Sequence, residues 1–176
     1  IGCNAGANLR RIADSFPEMR LSGIDVNRFA IEEAKQLVPQ ATFALGDIAR
    51  LPYANKSFDA VLSDAVLIYI SPGRIDKVMN ELVRVARTLI ILVEWNDFRS
   101  IKGVIKDHHW CRDYESLLME RGFFIFQIKK LTAKEWPSKV WMKHGYIYVG
   151  YHPQSQIFAP NFSAIPTLKF AGSAKI

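Results

Sequence analysis

Ile1-Gly2-Cys3-Asn4-Ala5-Gly6 opens the chain and reads as the end of a buried strand, a tight glycine-containing loop and the start of a helix. Ala7 to Phe16 continues the pattern. Leu9, Ile12, Ala13 and Phe16 recur at helical spacing, with Arg10, Arg11 and Asp14 on the other side. A strand–loop–helix unit of this kind aims backbone N–H groups and the positive end of a helix at a ligand. The strand that feeds the loop falls ahead of Ile1, so the chain is expected to be an incomplete piece of a longer protein.

Outward from this loop, strands and helices alternate. Arg20 to Asp25 reads as a short strand that stops at an acidic residue. Asn27 can cap a helix running to Leu37, with Phe29, Ala30, Ala34 and Leu37 near one face and Pro39 closing it. Thr42 to Leu45 and Phe58 to Ser63 are the next strands. Ser71-Pro72 opens a helix with Ser as cap and Pro at the first helical position, and Val78, Met79, Leu82, Val83 and Ala86 form its apolar face. Thr88 to Val93 is an uninterrupted apolar run, as expected of a strand covered on both sides. This alternation predicts an α/β fold, a doubly wound, mostly parallel sheet with helices on both faces.

After Glu94 the pattern changes. Residues 96–110 show no period and read as a loop or lid. Asp113 to Arg121 reads as a short helix ended by Gly122, and two alternating strands follow, Phe123 to Leu131 and Tyr146 to Tyr151, the last antiparallel. The expected organisation is one domain over 1–152 and an irregular Pro/Ser/Ala-rich tail over 153–176.

Composition narrows the class further. Of the hydrophobic runs, the longest purely aliphatic one, Leu89 to Val93, is too short to span a bilayer, and no membrane partner is expected. Two cysteines, Cys3 and Cys111, cannot build a disulfide framework, which fits a reducing cytoplasmic setting. The net charge of +6 is uneven: residues 1–98 hold 11 Lys/Arg against 12 Asp/Glu, residues 99–176 hold 12 against 5. A basic second half suits an anionic substrate. Its lysines are scattered, though, and also read as a solvated basic surface rather than a nucleic-acid patch.

Three features fall in order at consecutive strand ends, where an open α/β sheet binds ligands. They are the Gly2–Gly6 loop, Asp25 nineteen residues after Gly6, and Gly46-Asp47-Ile48. A carboxylate at Asp25 can accept both hydroxyl protons of a ribose. Asp47 can take an exocyclic amine while Ile48 covers a flat ring.

The order Ile-Gly-Cys-Asn-Ala-Gly, Gly-Ile-Asp-Val, Gly-Asp-Ile and Ser-Phe-Asp-Ala-Val-Leu-Ser-Asp resembles the Rossmann-like methyltransferases that use S-adenosylmethionine. The likeness is strong over residues 1–94. It implies that Gly2, Cys3, Asn4, Ala5 and Gly6 hug the methionine part of that cofactor. It further implies that Asp25, with Val26 beside it, holds the ribose, that Asp47 and Ile48 hold adenine, and that Ser63, Asp64 and Leu67 border the sulfonium end. Two departures stand out. The middle glycine of the family's loop is Asn4 here, and the acidic residue that normally precedes the loop falls before Ile1. Since the family's sheet is centred on the strand that falls there too, the piece is expected to be destabilised. A narrower resemblance runs through Ala65-Val-Leu-Ile-Tyr-Ile-Ser-Pro and Lys77-Val-Met-Asn-Glu-Leu-Val-Arg-Val-Ala, which is similar to small methyltransferases associated with pseudaminic acid biosynthesis. Many relatives carry His where this chain has Tyr69.

Methyl transfer from a sulfonium is an in-line displacement in which positioning supplies much of the acceleration. A base helps when the acceptor is a hydroxyl. Tyr69, just past the strand ending in Ser63, reads either as a group that orients the acceptor or as a rim aromatic packed on the next helix. Asp107-His108-His109-Trp110-Cys111 lacks the spacing of a metal site, and no metal is expected. His109 is the candidate base, carried on the lid. Glu94 and Trp95 are expected to line an acceptor pocket, and Trp136 and Trp141 with Lys134, Lys139 and Lys143 to contact an anionic acceptor or simply to pack. The expected partner is a small molecule, in particular a sugar or sugar nucleotide, and not nucleic acid. A decayed, non-catalytic binding module is the competing reading. A nicotinamide-dependent oxidoreductase is disfavoured by Asn4, which stands where a pyrophosphate needs a glycine.

Overall fold

The computed structural model describes residues 1–153, so the expected tail lies outside them apart from Pro153. The chain divides into two compact units, residues 1–52 and the part from Tyr53 onward.

In the first unit, helix α1 (Ala7–Ser15) is followed by strand β1 (Ser22–Asp25), helix α2 (Arg28–Leu37) and strand β2 (Thr42–Leu45). The two strands pair in parallel, with Ser22 opposite Thr42 and Asp25 opposite Leu45. Asn27 caps α2 as expected, its Oδ1 accepting the N–H of Phe29 at 3.0 Å and of Ala30 at 3.4 Å. The buried face differs from the expected one. Ala30, Ile31 and Ala34 are buried, whereas Phe29 is 77% exposed. At 100° per residue Phe29 falls outside the arc centred between Ala30 and Ile31, so the face is narrower than the run of apolar letters suggests.

Gly6 starts α1 with φ +87° and lies against α2, where an added Cβ would sit 3.1 Å from Ala34 Cβ and 3.3 Å from Ala34 Cα. Both the left-handed backbone and the close helix approach demand glycine. Gly6→Ala is therefore expected to destabilise the protein by about 1–3 kcal/mol, read as a lowered melting temperature. An unchanged melting temperature would contradict this packing.

In the second unit the order is β3 (Phe58–Asp64), a 3-10 turn over Leu67–Tyr69, α3 (Pro72–Val85), β4 (Ala86–Trp95), β5 (Val104–Lys106), β6 (His109–Cys111), α4 (Tyr114–Met119), β7 (Phe124–Lys130), α5 (Lys139–His144) and β8 (Gly145–Tyr151). Four strands form a sheet in the order β3-β4-β8-β7. β3 and β4 run parallel, and β8 runs antiparallel to both β4 and β7. With β1 and β2 this is the mostly parallel α/β architecture expected, with its antiparallel last strand. β8 takes the inner position because Tyr148 and Val149 are buried, while β7 carries exposed Phe124 and Phe126 along the edge.

Helix α3 buries Ile75, Val78, Met79, Leu82 and Val85. Its Ser71 stands at the cap position, with its backbone carbonyl accepting from Arg74 and Ile75; no side-chain cap bond forms. The segment read as a lid without structure is in part a hairpin, β5 against β6, with Lys106 opposite His109. Its two-residue turn is Asp107-His108, with φ +46° and +68°. Both central residues of such a turn need positive φ, usually met by Asn-Gly or Gly-Gly. Asp and His in those places gave no glycine signal to find.

A cluster of Ile68, Val93, Trp95, Cys111, Leu131, Trp136 and Trp141 forms a core at the end of β4. Trp136 and Trp141 stack at 4.2 Å and are buried, so of the two readings open for them packing is the one realised. Among the described residues no helix is long and apolar enough to cross a membrane.

Candidate functional site

The first unit brings the three sequence features together along one strand edge. The loop before α1 lies beside β1, with Cys3 N–H donating to the Ile24 carbonyl at 3.0 Å. Asp25 Oδ2 accepts the Asn4 N–H at 2.9 Å, and Oδ1 accepts the Asn27 N–H at 2.9 Å. The Asp25 carbonyl takes the Gly46 N–H at 2.9 Å, which ties in the third feature. A carboxylate offers about four acceptor positions, so Asp25 can hold the loop and the start of α2 and still receive two ligand hydroxyls.

Asn4 takes φ +46°, a backbone conformation tolerated by Asn, and its Oδ1 accepts the Ala5 N–H at 2.8 Å. The side chain thus stabilises the bend that a glycine would make passively. Gly2 also has positive φ (+58°). Burial pushes the Cys3 thiol up to about 11, so it is not a reactive thiolate. Val26 is exposed beside Asp25. Asp47 is exposed, its Oδ1 accepting the Ala49 N–H at 2.9 Å. Ile48 is only 6% exposed, so its side chain belongs mainly to the core.

In the second unit, Ala65 at φ +56° turns the chain sharply out of β3 into the 3-10 turn. Ser63 and Leu67 are 0% exposed and present no side-chain surface to a ligand in this structure. Their task is local. Ser63 Oγ donates to Glu94 Oε1 at 2.6 Å, and the Leu67 N–H donates to the same oxygen at 3.1 Å. The Val66 N–H also reaches Oε1 at 3.1 Å, and the Ile68 N–H reaches Oε2 at 3.2 Å. Glu94 is therefore a buried anchor for the turn rather than part of a pocket wall. Burial pushes its carboxyl up to about 7, opposed by these hydrogen bonds and assisted by the charge of Asp64. Asp64 itself is half-buried.

Arg112 was not apparent from the sequence. It is fully buried at the end of β6, with Nη1 donating to the Leu67 carbonyl at 2.8 Å, Nη2 to the Ile70 carbonyl, and Nε to the Lys102 carbonyl at 3.1 Å. The signals were an acid closing the apolar run into Trp95 and an Arg following Trp110-Cys111, but neither implied that both grip one turn.

Tyr69 and His109, separated by 40 positions in the chain, meet edge to face with ring centroids 5.0 Å apart. Tyr69 is 66% exposed, and His109 also rests on Trp95 at 4.7 Å. His109 Nδ1 lies 2.9 Å from the Asp107 carbonyl. A carbonyl can only accept, so Nδ1 carries the proton and a neutral His109 has its basic lone pair on Nε2. His144 Nε2 in turn donates to Asp107 Oδ2 at 3.0 Å, and this bond is the first cause that holds the Asp107 carboxyl below its usual range. Burial keeps the His144 ring below its ordinary pKa. Beside these groups lies an open depression of about 490 Å³ lined by Phe98, Arg99, Lys106, Lys143, His144 and Tyr146, among others.

The parallel β1–β2 pair, with a bent loop at the head of α1 and an acid closing β1, defines an α/β class of fold. A family model described as a methyltransferase domain matches residues 1–88, half of the chain, and the chain belongs to that family. Over 70 residues it is 29% identical to the trans-aconitate 2-methyltransferase of Variovorax paradoxus, an overlap covering 40% of this chain and 27% of that enzyme. The chain thus spans about a quarter of the length of the curated relative it matches. Among solved structures, the fold is similar to 1,6-didemethyltoxoflavin-N1-methyltransferase of Burkholderia thailandensis, solved with S-adenosylhomocysteine. The TM-score is 0.69, at 11% identity, over 86% of this chain and 68% of that one. Magnesium protoporphyrin IX methyltransferase of Synechocystis, solved with bound SAM, gives a TM-score of 0.66 at 19% identity, over 86% of this chain and 67% of that one.

Proposed function

We propose that this protein binds S-adenosylmethionine and transfers its methyl group to a small-molecule acceptor. The observation that carries the reading is Asp25. Its carboxylate is fixed by the Asn4 and Asn27 N–H groups and keeps acceptor capacity for a ribose diol. The family match supports the reaction class. Asp25, Val26 and Asp47 would hold the nucleoside part, and the loop with Asn4 the methionine part. When bound, the cofactor supplies an electrophilic methyl group on a sulfonium.

The chain's own residues then serve the acceptor. Tyr69 offers a hydroxyl to orient it, and His109 Nε2 is placed to take a proton from a hydroxyl nucleophile. Arg99 and Lys143, both largely exposed at the open depression, favour an anionic acceptor, with a sugar nucleotide as the first to be tried. The competing reading as a decayed module rests on Asn4, on Tyr69 and on the strand ahead of Ile1, and the first of these is answered by the geometry at Asn4. That residue adopts the left-handed bend and caps it with its own side chain, so the support for decay weakens.

Calorimetric titration of S-adenosylhomocysteine into the full-length protein tests the reading. Micromolar binding is expected, and no binding by a folded protein would overturn it.

A further inference from the structure

We propose that Glu94 and Arg112 are positioning residues that hold Tyr69 against His109 by gripping the backbone of the turn between them, and that protonation of Glu94 releases this grip. The proposal rests on the methyltransferase reading for its catalytic consequence, but the device itself stands on geometry in the second unit.

The turn is held from both polarities. Glu94, at the end of β4, accepts three consecutive N–H groups, those of Val66, Leu67 and Ile68, and the Ser63 hydroxyl. Arg112, just past β6, donates to the carbonyls of Leu67 and Ile70. Tyr69 sits inside this span, its N–H bonded to the Val66 carbonyl at 3.1 Å. His109 sits three residues before Arg112 on the same short hairpin strand. One pair of charged side chains therefore registers both halves of the Tyr69–His109 contact. Hydrogen bonds to charged groups are the stronger kind, and a buried carboxylate with four donors is a rigid support only while it is ionised.

A proton on Glu94 changes this accounting. The acid must now donate through one oxygen, and the Ser63 hydroxyl bonded to Oε1 is able to accept. The backbone groups bonded to Glu94 are N–H donors, so a proton on Oε1 weakens its hold on Val66 and Leu67. The other titratable groups that act on Glu94 are Asp64 at the end of β3 and Tyr114 at the start of α4. Burial raises the Tyr114 hydroxyl well above its ordinary value, so it stays neutral. Asp64 adds negative charge that favours protonation of Glu94.

The test follows the backbone amides of Val66, Leu67 and Ile68 and the ring signals of His109 by NMR in the full-length protein across neutral pH. In the native protein the three amides are expected to titrate together with a midpoint near 7, with the Tyr69–His109 ring contact weakening on the acid side. In Glu94→Gln the three amides stay flat at every pH and the ring contact stays weak, as in the acid form. In His109→Gln the amides still titrate, which separates Glu94 from the histidine. In turnover at neutral pH, Glu94→Gln is expected to lower kcat on the order of tenfold with KM little changed. Flat amides in the native protein would overturn the proposal, as would a Glu94→Gln protein that keeps the native ring contact and the native kcat. Failure of S-adenosylhomocysteine binding would instead remove the methyltransferase reading and leave the NMR result to decide the device.

Discussion

Asp25→Ala is expected to lower affinity for S-adenosylhomocysteine ~100-fold or more while leaving the protein folded. Each ribose hydroxyl donating to a carboxylate contributes about 1.5–3 kcal/mol, so losing two such bonds is a loss of about 3 kcal/mol at the least. The same substitution frees the N–H groups of Asn4 and Asn27. Both residues are exposed, so water can replace the carboxylate there and the cost to stability is expected to stay below about 1 kcal/mol. Titration calorimetry and thermal melting on one preparation separate the two effects. A variant that melts like the native protein yet still binds with native affinity would refute the assignment of Asp25. Asp25→Asn retains one acceptor oxygen and is expected to fall between the two.

Removing the Glu94 side chain is the most damaging single change expected for stability. Glu94→Ala leaves the N–H groups of Val66, Leu67 and Ile68 and the Ser63 hydroxyl without their acceptor at a site closed to water. It also leaves a void. Each buried donor left without a partner costs about 1–3 kcal/mol, together enough to abolish folding of a marginal protein. Glu94→Gln keeps the volume and one acceptor oxygen and is expected to fold.

The pH dependence of this group runs opposite to that of an exposed salt-bridged carboxylate. Its pKa rises from 4.5 in the unfolded chain to about 7 in the folded one. Between those values the folded state holds the proton and the unfolded state does not, so stability falls as pH rises from about 4.5 to about 7 and is level above. The span corresponds to about 3 kcal/mol. Denaturant unfolding at a series of pH values should show this slope in the native protein and its loss in Glu94→Gln.

Much of the first unit was legible from residue order alone, because its determinants are local. The bend at Gly2–Gly6, the Asn27 cap and the acids at the ends of β1 and β2 each lie within a few positions of the element they shape. Parallel pairing of β1 with β2 then places Asp25 and Gly46 on one edge with no further choice. The alternation of apolar runs with amphipathic helices likewise specified an α/β sheet, and β4 was visible as an uninterrupted apolar stretch. What only the tertiary structure decided involves residues far apart in the chain. β8 enters between β4 and β7 because its side chains can be buried on both faces and those of β7 cannot. The Asp107-His108 hairpin escaped notice since it uses positive φ without glycine. Glu94 and Arg112 are ordinary charged letters in sequence, and only burial turns them into supports. Tyr69 and His109 become neighbours across a turn that Arg112, next to the hairpin, bonds at the Leu67 and Ile70 carbonyls. Local chemistry determined the bend and the acids of the first unit; long-range burial of charge decided how Tyr69 and His109 are held in the second.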